Sequence, residues 1–157
     1  MSVDPIPHDR LCAVPHLVVE DADAAIAFYR EAFGAVETMR LVEPGGKIAH
    51  AEVRIGTAPV MLAEPYPELG FVGPRALAGT AVSFTLYVDD VDARFDRAVA
   101  AGASVRQAVR DEFYGDRCGQ LSDPFGHLWT LATRIEDVSA EEMARRFARC
   151  FPSPDNA

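Results

Sequence analysis

The feature that most constrains the fold is an internal repeat. Val19 to Ala35 reads "VEDADAAIAFYREAFGA", and Val88 to Ala103 reads "VDDVDARFDRAVAAGA". In each copy a valine closes an apolar run. Two acids, an Asp-Ala pair, an apolar helical face and Gly-Ala then follow. The copies align at an offset of sixty-nine residues, slipping by one at the glycines. A repeat this long relative to a 157-residue chain means one supersecondary unit was built twice.

Each unit can be read from its punctuation. Leu11–Val19, "LCAVPHLVV", is apolar and β-branched like a buried strand, and Pro15 within it argues for an edge or a bulge. Asp21 caps a helix whose Ala22, Ile26, Tyr29 and Phe33 share a face, and Gly34 stops it. Strands are expected over 36–42, 48–55 and 60–63, with "PGG" at 44–46 and "GTAP" at 56–59 as turns. The first module, 11–64, is therefore β-α-β-β-β. A Pro- and Gly-rich linker spans 65–79. The second module, 80–133, repeats the order: a strand over 80–88 and a helix capped by Asp90 with Val91, Phe95, Ala98 and Val99 on one face. Strands over 104–111, 120–122 and 128–133 complete it. A C-terminal helix over 139–150 opens with a Ser139/Glu142 capping box, and its Met143, Phe147 and Cys150 stripe is expected to dock on the domain rather than in a dimer contact.

One such module has an open sheet with a single apolar face and cannot close a core alone, whereas two can enclose a cup. The expected fold is α+β: two tandem βαβββ modules forming a curved open β-barrel, plus a short C-terminal helix.

Composition narrows the function classes. About half the residues are apolar, at 49%, so a core can form. No apolar run approaches the roughly 18 residues of a membrane span, and "MSVDPIPHDR" has no signal pattern, so a cytoplasmic protein is expected. The net charge of −9 disfavours polyanionic partners such as nucleic acid. Cys12, Cys118 and Cys150 are scattered and suggest neither a zinc clamp nor a disulfide framework. Nucleophile-elbow, P-loop and dinucleotide patterns are absent.

The segments "HLVVEDADAAIAFYREAFGA", "VSFTLYVDDVDARFDRAVAAGA" and "YGDRCGQLSDPFGHLWTL" resemble the vicinal oxygen chelate superfamily, which includes glyoxalase I, extradiol dioxygenases, bleomycin-resistance proteins and PhnB-like proteins. The resemblance covers residues 11–133 as one domain, and the tail "IEDVSAEEMARRF" is most similar to the PhnB-like branch. Metal enzymes of the superfamily hold a divalent ion with His, Gln or Glu from the first and last strands of each module. Carried over by the motifs, those positions here are Val14, Leu62 (where the alignment can slip by one), Ser83 and Thr130. Two are hydrocarbon and two are neutral hydroxyls, which are weak ligands for transition metals.

The resemblance therefore implies a metal-free small-molecule binder. It would take an aromatic or drug-like compound in an apolar cup, and a homodimer is expected. Candidate ligand-binding residues are His16, His50, Glu52, Leu62, Ser83, Phe84, Tyr114, Trp129 and Thr130, with Val14 and Thr130 as the floor. His16, His50 and Glu52 form a conceivable ligand set for a divalent metal, but the spacing gives no reason for their strands to converge. A superfamily lyase, isomerase or dioxygenase is the alternative, and a regulatory module with a vestigial cup is the third reading. "SDPFGHLW" is a turn in which Asp123 accepts from the backbone, Trp129 packs in the core or at its edge, and His127 is structural. The polar loop Asp111–Gly119 is read either as a lip that stacks Tyr114 on a ligand or as a hairpin held by an Asp116–Arg117 contact. Arg117 beside Cys118 is a weak argument for an activated thiol.

Overall fold

The computed structural model describes residues 13–150, together with Pro5 and Pro7. Its element order is β1 (His16–Val18), α1 (Ala22–Phe33), β2 (Val36–Val42), β3 (Ile48–Ile55), β4 (Ala58–Ala63), a 3-10 turn Pro67–Leu69, β5 (Ser83–Tyr87), α2 (Val91–Ala100), β6 (Ser104–Asp111), β7 (Asp116–Ser122), β8 (Leu128–Arg134) and α3 (Ala140–Cys150). The strands make two four-stranded sheets of identical topology, β1-β4-β3-β2 and β5-β8-β7-β6. In each, the first strand runs parallel to the last, and the rest is antiparallel. The sheets are open and together form a cup, as the repeat requires.

The helix starts follow the caps. Asp21 accepts from Ala24 N and Asp90 from Ala93 N, both at sixty-nine residues' separation, since 90 − 21 = 93 − 24 = 69. Gly34 ends α1 in the left-handed region, where its N–H returns to Arg30 O. The two helices are not equivalent. In α1, Ala22, Ala25, Ile26, Phe28, Tyr29, Ala32 and Phe33 are buried, but in α2 only Val91, Phe95 and Ala98 are. The apolar surface of α1 extends beyond one stripe because it covers its own sheet and also meets Trp129 of the second module. Phe33 and Tyr29 lie 4.8 and 5.6 Å from that ring, and Phe84 packs on it at 4.9 Å. One continuous core therefore spans both modules, and each fully buried large side chain contributes about 1.5–3 kcal/mol.

Several boundaries and one contact differ from the sequence expectation: β4 starts two residues early, at Ala58 within the expected turn, and β5 is shortened to Ser83–Tyr87. Residues 11 and 12 of the first expected strand lie outside the described residues, and regular pairing begins at His16, after Pro15. That strand is an edge, which is where a proline fits. β7 begins at Asp116, so half of the expected 111–119 loop is strand and the lip shrinks to residues 112–115. The Asp116–Arg117 contact of the hairpin reading is replaced by others: Asp116 accepts from Tyr87 at 2.6 Å, and Arg117 pairs with Asp92 and Asp111. Adjacent strand residues point to opposite faces, so they find partners on different elements. No helix among the described residues is long and apolar enough to cross a membrane.

Candidate functional site

Strand parity decides which residues face the cup. On β5, Ser83, Thr85 and Tyr87 are exposed on the open side, while Phe84 and Leu86 turn toward the core. On β8, Trp129 and Leu131 are buried and Thr130 is on the open side. Leu62 is fully buried opposite Ala51 and Leu17. Leu62 and Trp129 are therefore core residues and not cup wall, which corrects the expectation for both. A residue and its strand neighbour cannot share a face, so Ser83 and Phe84, or Trp129 and Thr130, cannot both line it.

The slip at Leu62 resolves by one residue. His16 pairs with Met61 as Thr85 pairs with Thr130, and 85 − 16 = 130 − 61 = 69. Met61, not Leu62, is thus the counterpart of Thr130. The corrected set is Val14, Met61, Ser83 and Thr130: one hydrocarbon, one thioether and two hydroxyls. This set does not fit a divalent metal of the kind the superfamily holds.

His16, His50 and Glu52 do come together, contrary to the expectation drawn from their spacing. The row Met39–Glu52–Met61–His16 crosses the first sheet, which carries Glu52 to within one strand of His16. The His16 and His50 rings meet edge to face at 5.5 Å, and His50 Nε2 lies 3.2 Å from Glu52 Oε1. Phe71, from the linker, covers His16 at 5.2 Å. Burial first, and then the neighbouring His50, lowers the His16 pKa, so this ring is neutral near pH 7. Even so, among the described residues no three His, Cys, Asp or Glu side chains are arranged to hold a metal.

The second sheet builds a polar recess of about 230 Å³ from Gln107, Glu112, Tyr114, Cys118, Gln120 and Thr130. Glu112 accepts from Gln107 and Arg110. The Tyr114 hydroxyl lies 3.3 Å from Cys118 Sγ. Arg117 is committed to Asp92 and Asp111, so it is not the partner of the Cys118 thiol. The lip is held from outside. Gly115 O accepts from Ile135 N and Glu136 N, Arg146 donates to Phe113 O, and Phe147 packs on Phe113 at 5.7 Å. The C-terminal helix therefore touches the lip through Phe147 and Arg146, but Met143, Phe147 and Cys150 all stay exposed, so the expected docking of the apolar stripe is reduced to this contact. Gln107, Glu112 and Gln120 escape a reading of the sequence alone. The period-2 partners of Thr130 and Cys118 are the signal that points to them.

A third feature lies at the seam between the modules, where the free edges of β1 and β5 face each other. A pocket of about 390 Å³ opens there, walled by Leu17, Val18, Phe84 and His127 and roofed by Val72, Pro74 and Leu77 of the linker, with His16 at its margin. His127 is structural, as expected: its Nε2 donates to Val18 O at 3.1 Å and closes the wall. The linker thus forms the roof of this pocket, although composition alone marks it only as irregular.

All four tyrosines are held above the ordinary phenol pKa of 10. For Tyr29 and Tyr114 burial is the main cause; for Tyr66 and Tyr87 it is the hydrogen bond to Glu43 and to Asp116, and Tyr66 is pushed up to about 12. Above pH 10 the unfolded chain has lost phenol protons that the folded chain keeps. The unfolded state then binds fewer protons, so stability falls as pH rises from 10 toward the folded values. An ultraviolet titration is expected to show less phenolate at pH 10 than free phenols would give, with the buried Tyr29 ionising last. A gradual titration centred on 10 would contradict these environments.

An open cup of paired βαβββ modules defines the class of protein. The profile of the Glyoxalase/Bleomycin resistance protein/Dioxygenase superfamily matches residues 11–131. The chain belongs to that superfamily. It is 46% identical over 132 residues to an uncharacterized protein of Mycobacterium bovis, covering 82% of this chain and 87% of that one. It is 27% identical over 124 residues to an uncharacterized protein of Arabidopsis thaliana, covering 74% of each. Among solved structures it is similar to TioX from Micromonospora sp. ML1, at 31% identity and a TM-score of 0.59 over 78% of this chain and 97% of that one. The fosfomycin resistance protein FosX of Listeria monocytogenes, at 20% identity and a TM-score of 0.61 over 84% of this chain and 96% of that one, shares the fold.

Proposed function

We propose that the protein binds or sequesters a small aromatic or drug-like molecule without a metal. One observation carries this reading: Val14, Met61, Ser83 and Thr130 occupy the places where relatives would carry metal ligands, and none is a strong donor. The apolar seam pocket, lined by other residues, is of a size suited to small-molecule recognition. The tail resemblance supports the PhnB-like branch. The net charge of −9 supports small molecules over nucleic acid, and nothing in the chemistry calls for a membrane.

A homodimer is part of the proposal. Edge strand β2 exposes Val36, Met39, Leu41 and Val42, an unusual run for an edge left in water. Light scattering is expected to give twice the chain mass of 17.1 kDa.

Protein purified without chelator is expected to carry no stoichiometric divalent metal in elemental analysis. A screen of aromatic and drug-like compounds is expected to raise Tm by several degrees for a ligand at about 100 times its Kd, where linkage contributes about 2.7 kcal/mol. The second reading is a superfamily enzyme that recruits His16, His50 and Glu52, and the convergence of those side chains on one face favours it. A stoichiometric metal lost in His50→Ala would replace the binder with that enzyme. A chain with neither metal nor stabilising compound would support a vestigial cup.

A further inference from the structure

Beside the seam pocket lies a second cavity, of about 350 Å³, with a different chemistry. The two share Pro74, Gly79 and Thr80 as a common wall. The seam compartment is apolar apart from His16, Thr80 and His127, and the latter two already hold backbone groups. The second compartment is flanked by Arg75 of the linker and Arg106 of β6, and Ser122 of β7 adds a hydroxyl to its lining. Arg40, Arg97, Arg110, Arg117, Arg134, Arg145 and Arg146 all pair with carboxylates. Arg75 and Arg106, like Arg30, Arg54, Arg94 and Arg149, have no salt-bridged carboxylate partner among the described residues, and they are the two of these that line one cavity together. Two uncommitted guanidiniums on one cavity are a natural receptor for an oxyanion.

The wall between the compartments is built under constraint. Segment 73–79 is a compact turn closed by Ala76 N to Gly73 O and Gly79 N to Pro74 O. It carries Ala78 at φ 55°, the one non-glycine residue in the left-handed region among the described residues. Such strain, of order 1–2 kcal/mol, persists where the surroundings fix the backbone, and it clusters at binding sites. The turn rests on Gly126, where an added Cβ would come 3.1 Å from Pro74 Cβ and 3.6 Å from Arg75 Cγ.

We propose that the two compartments form one bipartite site for an amphipathic monoanion. An aryl or alkyl body would occupy the seam, and its carboxylate would lie between Arg75 and Arg106. This rests on the small-molecule-binder reading and names the ligand class. The test is isothermal titration with 4-phenylbutyrate, its neutral amide and inorganic phosphate. Fluorescence of Trp129, the chain's single tryptophan, serves as a local reporter because its ring packs against Phe84 at 4.9 Å.

The carboxylate is expected to bind about tenfold more tightly than the amide, as a charge-assisted pair should. Arg75→Gln and Arg106→Gln, both at exposed positions, are expected to remove that preference and leave amide affinity unchanged. Val82→Asp, in the exposed seam rim, is expected to abolish binding of both. Equal affinity for carboxylate and amide would overturn the proposal while leaving the binder reading intact. So would phosphate binding as tightly as the carboxylate, or stabilisation only by compounds that ignore both arginines. Failure of every compound in the wider screen would overturn both.

Discussion

Asp123→Ala is expected to destabilise the protein by about 3–5 kcal/mol and lower Tm by roughly 10 °C. The carboxylate is buried and accepts four hydrogen bonds. Oδ1 takes Phe125 N and His127 N, each at 2.9 Å, and Oδ2 takes the Tyr29 hydroxyl at 2.7 Å and Trp129 Nε1 at 3.0 Å. Alanine leaves all four donors without an acceptor in a dry site, where each orphaned group carries its own desolvation cost. The effect is global because the donors come from both modules: Tyr29 sits on α1, and the other three follow the second module's turn. Tyr29→Phe removes one donor and keeps three, so a loss of about 1–2 kcal/mol is expected. Chemical denaturation of the two single variants and the double variant checks this. In the double variant the Tyr29 substitution should add little, since its partner is already gone. Additive losses would show that the two side chains act independently.

That network also marks how far the sequence could be read. The backbone half of Asp123's role follows from the local turn "DPFG", because an Asp two residues before the N–H it accepts from is a short-range pattern. The Tyr29 half spans 94 residues and depends on how the modules dock, which no local pattern encodes. The same division holds elsewhere. Caps at Asp21 and Asp90, the α1 stop at Gly34 and the duplicated topology were legible because each is local or repeated. His16 and His50 were visible as residues but not as neighbours, since their meeting depends on β1 joining β4 in parallel and not on spacing. Strand parity is legible in the sequence, and it puts Leu62 and Trp129 on the core face, opposite Ser83 and Thr130. The seam pocket was out of reach, because it is made by two strand edges that do not pair and by a linker whose composition predicts only irregularity.

Gly115→Ala is expected to cost about 2–4 kcal/mol and to release the lip from the C-terminal segment. Two separate penalties act at this position. Gly115 lies at φ +95°, outside the range side chains favour, and the alanine methyl would meet Glu136 O at 2.6 Å and Val138 Cγ2 at 2.8 Å. The first of those neighbours is backbone, held by the Ile135 and Glu136 bonds to Gly115 O at 2.9 and 3.0 Å, so it cannot rotate away. Gly46→Ala separates the penalties: its φ is +89°, nearly the same, but nothing lies within 4 Å. That variant should lose only the conformational part, about 1–2 kcal/mol. The excess at Gly115 measures the close approach of lip and tail. Hydrogen exchange locates it: amides at 135 and 136 should lose protection in Gly115→Ala and keep it in Gly46→Ala. Because Tyr114 rides on the same lip and lines the polar recess, its hydroxyl should separate from Cys118 in the first variant only. Equal losses at Gly115 and Gly46, with the tail amides still protected, would mean that the lip stands without the C-terminal helix.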